Sequence, residues 1–163
     1  MSRALPNSSG AVVTLDEATI AEGLAASRAS ERKRMILPIQ RSQDAQVQRI
    51  VNFLQPGTYI RPHCHPLPHA TESVCLIQGA LEVLIFSEEG EVQARYHLEE
   101  SGPRLIDLEP GTWHGMIVHG PDTIIFESKR GPYDAETDKA FAPWGPEEDS
   151  EEVPAFLDKL SAS

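Results

Sequence analysis

Between residues 35 and 130, short apolar runs alternate with glycine and proline punctuation. Nine runs have the length and β-branched content of strands: 35–40 (MILPIQ), 48–55 (QRIVNFLQ), 58–65 (TYIRPHCH), 72–78 (ESVCLIQ), 80–86 (ALEVLIF), 92–98 (VQARYHL), 104–108 (RLIDL), 115–119 (GMIVH) and 122–128 (DTIIFES). Turn signals separate them at Pro56-Gly57, Gly79, Glu89-Gly90, Gly102-Pro103, Pro110-Gly111 and Gly120-Pro121. Short strands at even spacing predict an all-β sandwich or barrel. No strand–helix–strand alternation occurs, which argues against a parallel α/β sheet.

The flanks read differently. Residues 15–34 predict a helix and its exit, with Leu15, Ala18, Leu24 and Ala25 as a thin apolar stripe and Thr14 or Asp16 as the cap. Gly23 speaks against an unbroken helix. Residues 131–152 show neither period, yet they carry Tyr133, Phe141 and Trp144. Burying each aromatic would stabilise by roughly 1.5–3 kcal/mol, so this segment is expected to pack on the barrel. Residues 153–160 predict a short terminal helix. The expected organisation is an N-terminal extension over 1–34, a barrel over 35–130 and a C-terminal extension over 131–163, in one structural domain. The length of 163 residues suits that.

Charge narrows the partners. The net charge is −11, which repels phosphate backbones and anionic lipid. Nucleic acid and membranes are therefore not expected partners. Acidic residues crowd 134–152, where Lys139 is the only base, and read as a solvated acidic tail. No apolar run approaches the roughly 18 residues of a membrane span. The N-terminus lacks a secretory apolar core, so a cytoplasmic location is expected. Cys64 and Cys75 read as reduced core residues, too few for a disulfide scaffold.

The chemistry concentrates in Gly57-TYIRP-His63-Cys64-His65-PLPHAT-Glu72-SVCLIQ-Gly79 and in Pro110-Gly111-Thr112-Trp113-His114. Side chains alternate along a strand, so His63 and His65 share one face, with Cα atoms about 6.6 Å apart at roughly 3.3 Å per residue. Two imidazoles so placed can converge on one ion with bonds of about 2.1 Å. A hairpin is expected to return Glu72 to them, and barrel closure to bring His114 alongside. His97 and His119 have no partner at ligand spacing and read as structural.

This order of residues resembles the two-part cupin signature. Gly57, His63, His65, Glu72 and Gly79 match its first part; Pro110, Gly111 and His114 match its second. The loop between His65 and Glu72 is two residues longer than the family pattern and contains His69, and Val118 stands where the pattern ends in Asn. QRIVNFLQPGTYIRPHCHP, PGTWHGM and ESKRGPYDAETDKAFAPWGPEE further resemble the WbuC-type cupin-fold metalloproteins, over roughly residues 25 to 150. The resemblance implies a double-stranded β-helix, or jelly-roll barrel, with a divalent transition metal (Fe, Mn, Ni or Zn) on His63, His65, Glu72 and His114. It also implies a link to surface polysaccharides, without naming a reaction.

Strand parity adds neighbours. Tyr59 and Arg61 fall on the face of the two histidines if the strand runs unbroken through Pro62. Both are candidates for substrate contact or catalysis, and Met116 for the pocket wall. The Arg61 fork suits a carboxylate or phosphate. Arg49 and Lys129 are further basic candidates of unassigned face, and Trp113 is expected outside the pocket. The leading expectation is a metal-dependent enzyme acting on a small anionic sugar or sugar-nucleotide derivative, isomerase- or epimerase-like. An Fe(II)-dependent dioxygenase and a non-catalytic sensor are the alternatives. A homodimer is left open.

Overall fold

The computed structural model describes residues 3–162. Ten strands follow the N-terminal helix α1 (Glu17–Ala29): β1 (Arg34–Pro38), β2 (Val47–Leu54), β3 (His63–Cys64), β4 (Glu72–Gln78), β5 (Ala80–Phe86), β6 (Val92–Glu99), β7 (Leu105–Leu108), β8 (His114–Val118), β9 (Thr123–Arg130) and β10 (Ala140–Phe141). Helix α2 (Val153–Ala162) comes last. The strands form two antiparallel sheets of five, in the orders β1-β2-β9-β4-β7 and β10-β3-β8-β5-β6. No helix among the described residues is long and apolar enough to cross a membrane.

The inward-facing residues change character along each strand. On β4 they run Glu72, Val74, Leu76; on β8, His114, Met116, Val118; on β9, Lys129, Glu127, Ile125. The apolar ends meet in a core of Leu54, Val74, Leu76, Leu81, Val83, Leu98, Met116, Val118 and Ile125. The polar ends surround a cavity of about 660 Å³. One alternation thus closes the barrel at one end and leaves a lined chamber at the other.

Helix α1 covers the outer face of the first sheet. Asp16 caps it, accepting from the Thr19 backbone N–H at 2.9 Å. The helix continues through Gly23 because the Phe53 ring lies against it: a Cβ there would sit 2.3 Å from ring atoms. Phe53 is fully buried, packed with Leu24, Met35, Leu37, Val51 and Ile124. Gly23→Ala should therefore destabilise by about 1–3 kcal/mol despite its better helix propensity. Denaturant melts check this, and an unchanged midpoint would mean that Phe53 can turn aside at no cost.

Three elements depart from the sequence expectation. The run 58–65 pairs only at His63–Cys64. Pro62 has no N–H to give, and the Tyr59 carbonyl is taken by the Arg34 guanidinium, so no ladder forms upstream. Strand β10 lies in the C-terminal extension, pairing Phe141 with His63 and Ala140 with Cys64. The third concerns the aromatics. Tyr133 and Phe141 are 44% and 51% exposed, while Ala142 is the residue with no exposure and donates its N–H to the Pro62 carbonyl at 2.8 Å. Trp144 is the anchor. Its ring packs 4.9 Å from Phe86, and its Nε1 donates to the Glu88 carbonyl at 3.0 Å. Helix α2 adds Phe156 and Leu160 to this patch, over Leu84, Phe86 and Ile117.

The acidic stretch is not simply solvated. Glu148 pairs with Arg32 at 3.1 Å and with Arg34 at 2.6 Å, and Glu147 pairs with Arg61. Residues 140–149 therefore form a strap that starts as an edge strand and ends on the arginines at the cavity mouth.

Candidate metal centre

Register places the first two imidazoles. His63 on β3 lies directly across from His114 on β8, and the ring centroids are 4.5 Å apart. The turn before His114 uses Gly111 at φ +81°, where a side chain would strain the backbone. The Gly111 N–H donates to the His65 carbonyl at 2.9 Å, tying this turn to the residue after β3. Glu72 arrives from the other side. The expected hairpin does not form, because β3 and β4 belong to different sheets. The loop between them crosses the barrel, so the carboxylate faces the histidines from the opposite wall. The extra loop length serves that crossing, and His69 lies exposed on it.

The structure brings His63, His65, Glu72 and His114 together, all buried, with one donor atom from each lying within 4.8 Å of the others. Glu72 Oε2 is 3.3 Å from His65 Nε2 and 3.2 Å from His114 Nε2. Each Nδ1 faces a backbone carbonyl: Arg61 at 2.9 Å from His63, Asp138 at 2.6 Å from His65 and Thr112 at 2.9 Å from His114. A carbonyl only accepts, so a neutral imidazole bonded this way carries its proton on Nδ1 and presents a lone pair at Nε2; for His65 the 2.6 Å carbonyl contact decides this over Lys129 Nζ, which lies 3.2 Å from the same Nδ1. His65 Nε2 and His114 Nε2 are buried without a hydrogen-bond partner. Acceptors thus face a carboxylate with no hydrogen between them, an arrangement that calls for a cation or extra protons.

The electrostatics agree. Burial, then the charges of Lys139 and His114, hold the His63 ring well below the usual imidazole range, which favours its neutral form. Where protons rather than a cation lie between carboxylate and rings, burial pushes the Glu72 carboxyl up, but hydrogen bonds from His114 and His65 outweigh this and leave it well below the carboxylate range. A divalent transition metal fits this donor set, and its binding would compete with protons for the same lone pairs.

Other sequence candidates divide. Arg61 lines the cavity; its Nη2 donates to the Ala142 carbonyl at 2.9 Å, its guanidinium lies over the Phe141 ring, and its Nε is buried without a partner. Met116 lines the same wall. Tyr59 does not. With the strand broken before Pro62, parity fails, and Tyr59 turns outward to pack edge-on against Phe156 while its hydroxyl donates to the Pro146 carbonyl at 2.9 Å. Burial also raises its phenol, which stays protonated. Lys129 is buried on the cavity wall in an ion pair with Asp138, whereas Arg49 does not line the cavity. Trp113 packs with Trp144, and both cysteines are free thiols. His97 and His119, for which spacing gave no partner, both lie beside Glu82: His97 is its register partner on β6 and His119 follows the end of β8.

Sequence reading missed Glu127, Asn52 and Gln48 on the cavity wall. Their signal was parity. Glu127 lies between Ile125 and Lys129 on β9, but nothing in the run DTIIFES tells which alternate set faces in. The Asn52 Nδ2 is buried without a partner. Burial, then the nearby Glu72 carboxylate, push the Glu127 carboxyl up. A carboxyl raised on folding favours the fold when protonated; that stability is present below its unfolded value and lost as pH rises through the folded value. Glu127→Gln should therefore raise Tm of the metal-free protein at about pH 8, the gain fading toward pH ~4. A Tm gain that is equal at both pH values, or absent at both, would contradict the assignment.

Residues 15–98, just over half of the chain, match a family described as a domain of unknown function, DUF6016. The chain belongs to that family. The DUF6016 match takes in His63, His65 and Glu72 and ends before His114. No curated protein matches the chain in sequence. Among solved structures, an uncharacterized conserved protein with a double-stranded β-helix domain from Klebsiella pneumoniae is similar at TM-score 0.55 and 22% identity, over 82% of this chain and 98% of that one. The capsular polysaccharide assembling protein CapF from Staphylococcus aureus is similar at TM-score 0.53 and 17% identity, over 65% of this chain and 31% of its own. Oxalate decarboxylase from Bacillus subtilis gives TM-score 0.50 at 16% identity, over 66% and 27%. This chain spans less than a third of the latter two. At such identities the likeness establishes the fold, the cupin double-stranded β-helix, and nothing finer.

Proposed function

We propose that this DUF6016 chain is a metal-dependent enzyme holding one divalent transition metal, Fe, Mn, Ni or Zn, on His63, His65, Glu72 and His114. Its substrate is a small, oxygen-rich anion bound in the adjoining cavity. One observation carries the reading: three Nε2 lone pairs and a carboxylate converge, buried, at the floor of a chamber whose mouth carries Arg61. An ion there supplies Lewis acidity when bound. The chain supplies the rest. Arg61 offers its fork to a carboxylate or phosphate that displaces Glu147, and Glu127, its carboxyl raised by burial, stands beside Asn52 inside the chamber. Tyr59 has no part in it.

A cavity of about 660 Å³ accommodates a sugar-sized ligand. The resemblance to the WbuC-type proteins supports a sugar or sugar-nucleotide derivative of surface-polysaccharide metabolism, with isomerisation or epimerisation as the reaction class. The likeness to CapF adds only the fold.

The test uses metal-loaded protein titrated with citrate or phosphate. Arg61→Ala should weaken binding by roughly 10–100-fold, the range of one charged hydrogen-bonding group, with metal content unchanged. Arg61→Lys should fall between, since Lys lacks the planar fork. Equal binding by all three proteins would reject an anionic substrate. Fe(II)-dependent oxygen uptake would assign the site to a dioxygenase instead.

A further inference from the structure

The outer face of the second sheet carries one buried charge in an apolar row. On β5 the outward residues include Glu82, Leu84 and Phe86, and the last two are covered by α2 and the tryptophans. Glu82 lies beyond that cover, yet its side chain is only 4% exposed. Its register partner on β6 is His97, and on β8 it is Ile117. His119 stands two residues past Ile117, hence on the same face. The middle strand thus offers a carboxylate and each neighbour a histidine.

The geometry closes on the carboxylate. His97 Nε2 is 2.9 Å from Glu82 Oε1, and His119 Nε2 is 3.9 Å from Oε2. The two rings stack with centroids 6.2 Å apart and planes 28° from parallel. One donor atom from each residue lies within 4.8 Å of the others. Arg95 holds Oε2 at 2.6 Å and reaches the Leu160 carbonyl at 2.6 Å, so the carboxylate is oriented by a side chain fastened to α2.

We propose that Glu82, His97 and His119 form a second metal site, open to solvent and selective for borderline divalent ions such as Zn²⁺ or Ni²⁺. It lies on the opposite side of the sheet from the cavity. One protonated histidine would be enough to pair with Glu82. The second ring supplies the further nitrogen that zinc and nickel take in preference to magnesium or calcium. With bonds of about 2.1 Å, adjacent ligands lie about 3.0 Å apart around an octahedral ion and about 3.4 Å apart around a tetrahedral one, so the 2.9 Å between His97 and Glu82 suits the first and opens slightly for the second. Arg95 acts as the outer partner that fixes a ligating carboxylate. Because His97 and His119 are 67% and 46% exposed, the ion enters without any unfolding, and water completes its shell.

Zinc and nickel titrations of the full chain test this by calorimetry. Two equivalents should bind per chain, falling to one in the His97→Ala, His119→Ala double variant. In a His63→Ala, His65→Ala background the remaining equivalent should persist. Adding either His97→Ala or His119→Ala there should weaken it by more than about 10-fold, since even outer partners cost that much. Magnesium should not compete. Both surface histidines are exposed, so an unchanged Tm certifies the fold of these variants. No bound equivalent in the His63→Ala, His65→Ala background, or an equivalent there of unchanged affinity once His97→Ala and His119→Ala are added, overturns the proposal.

Discussion

Protein carrying His63→Ala and His65→Ala should lose its barrel metal on dialysis and keep its fold. Each replacement should lower affinity by more than about 100-fold, because partners one layer further out already cost about 10–100-fold. The fold should survive because the apolar core of Val74, Leu81, Val83 and Ile125 lies apart from the ligands. Elemental analysis of untagged protein measures the result, with His97→Ala and His119→Ala also present so that surface metal is not counted. Circular dichroism checks the barrel. Stoichiometric metal in that protein would reject His63 and His65 as ligands.

Trp144→Ala should cost about 3 kcal/mol, the low end for a buried tryptophan, since this ring keeps partial exposure. The ring is what fastens the strap: it packs on Phe86, Trp113 and Phe156 and bonds the Glu88 carbonyl. Without it, β10 has only two residue pairs to β3. Amide hydrogen exchange over 140–149 should accelerate while exchange in β4 and β9 stays slow. If stability is unchanged and the strap stays protected, the ion pairs of Glu147 and Glu148 hold it alone.

How far the chain could be read in advance depended on the range of each signal. Strands such as β2, β5 and β9 announce themselves in their own apolar runs. The grouping of His63, His65, Glu72 and His114 was readable because spacing and turn residues are local, and the cupin resemblance ordered them. The crossing of Glu72 from the opposite sheet was not, since no local pattern distinguishes a hairpin from a crossover loop. Nor was β10, where two residues are too few to show alternation. Tyr59 was misplaced because a parity argument was carried through Pro62, where the ladder ends. Gly23 misled for the opposite reason: its cause is Phe53, thirty positions away. The His97–Glu82–His119 group needs the registers of two strand pairs at once.

The strap has a thermodynamic consequence for any ligand. Glu147 and Glu148 are carboxylates tethered beside Arg61, Arg32 and Arg34, so they act as an intramolecular competitor at an effective concentration on the order of millimolar. A small acid that binds these arginines no better than a glutamate does, and that is present well below that level, is outcompeted by the strap. Its apparent affinity then equals its intrinsic affinity scaled by the fraction of time the strap is displaced. Dilute monoanions are screened out on this arithmetic. A ligand that also gains from the cavity floor is admitted, so the tethered pair sets a concentration and valence threshold for entry.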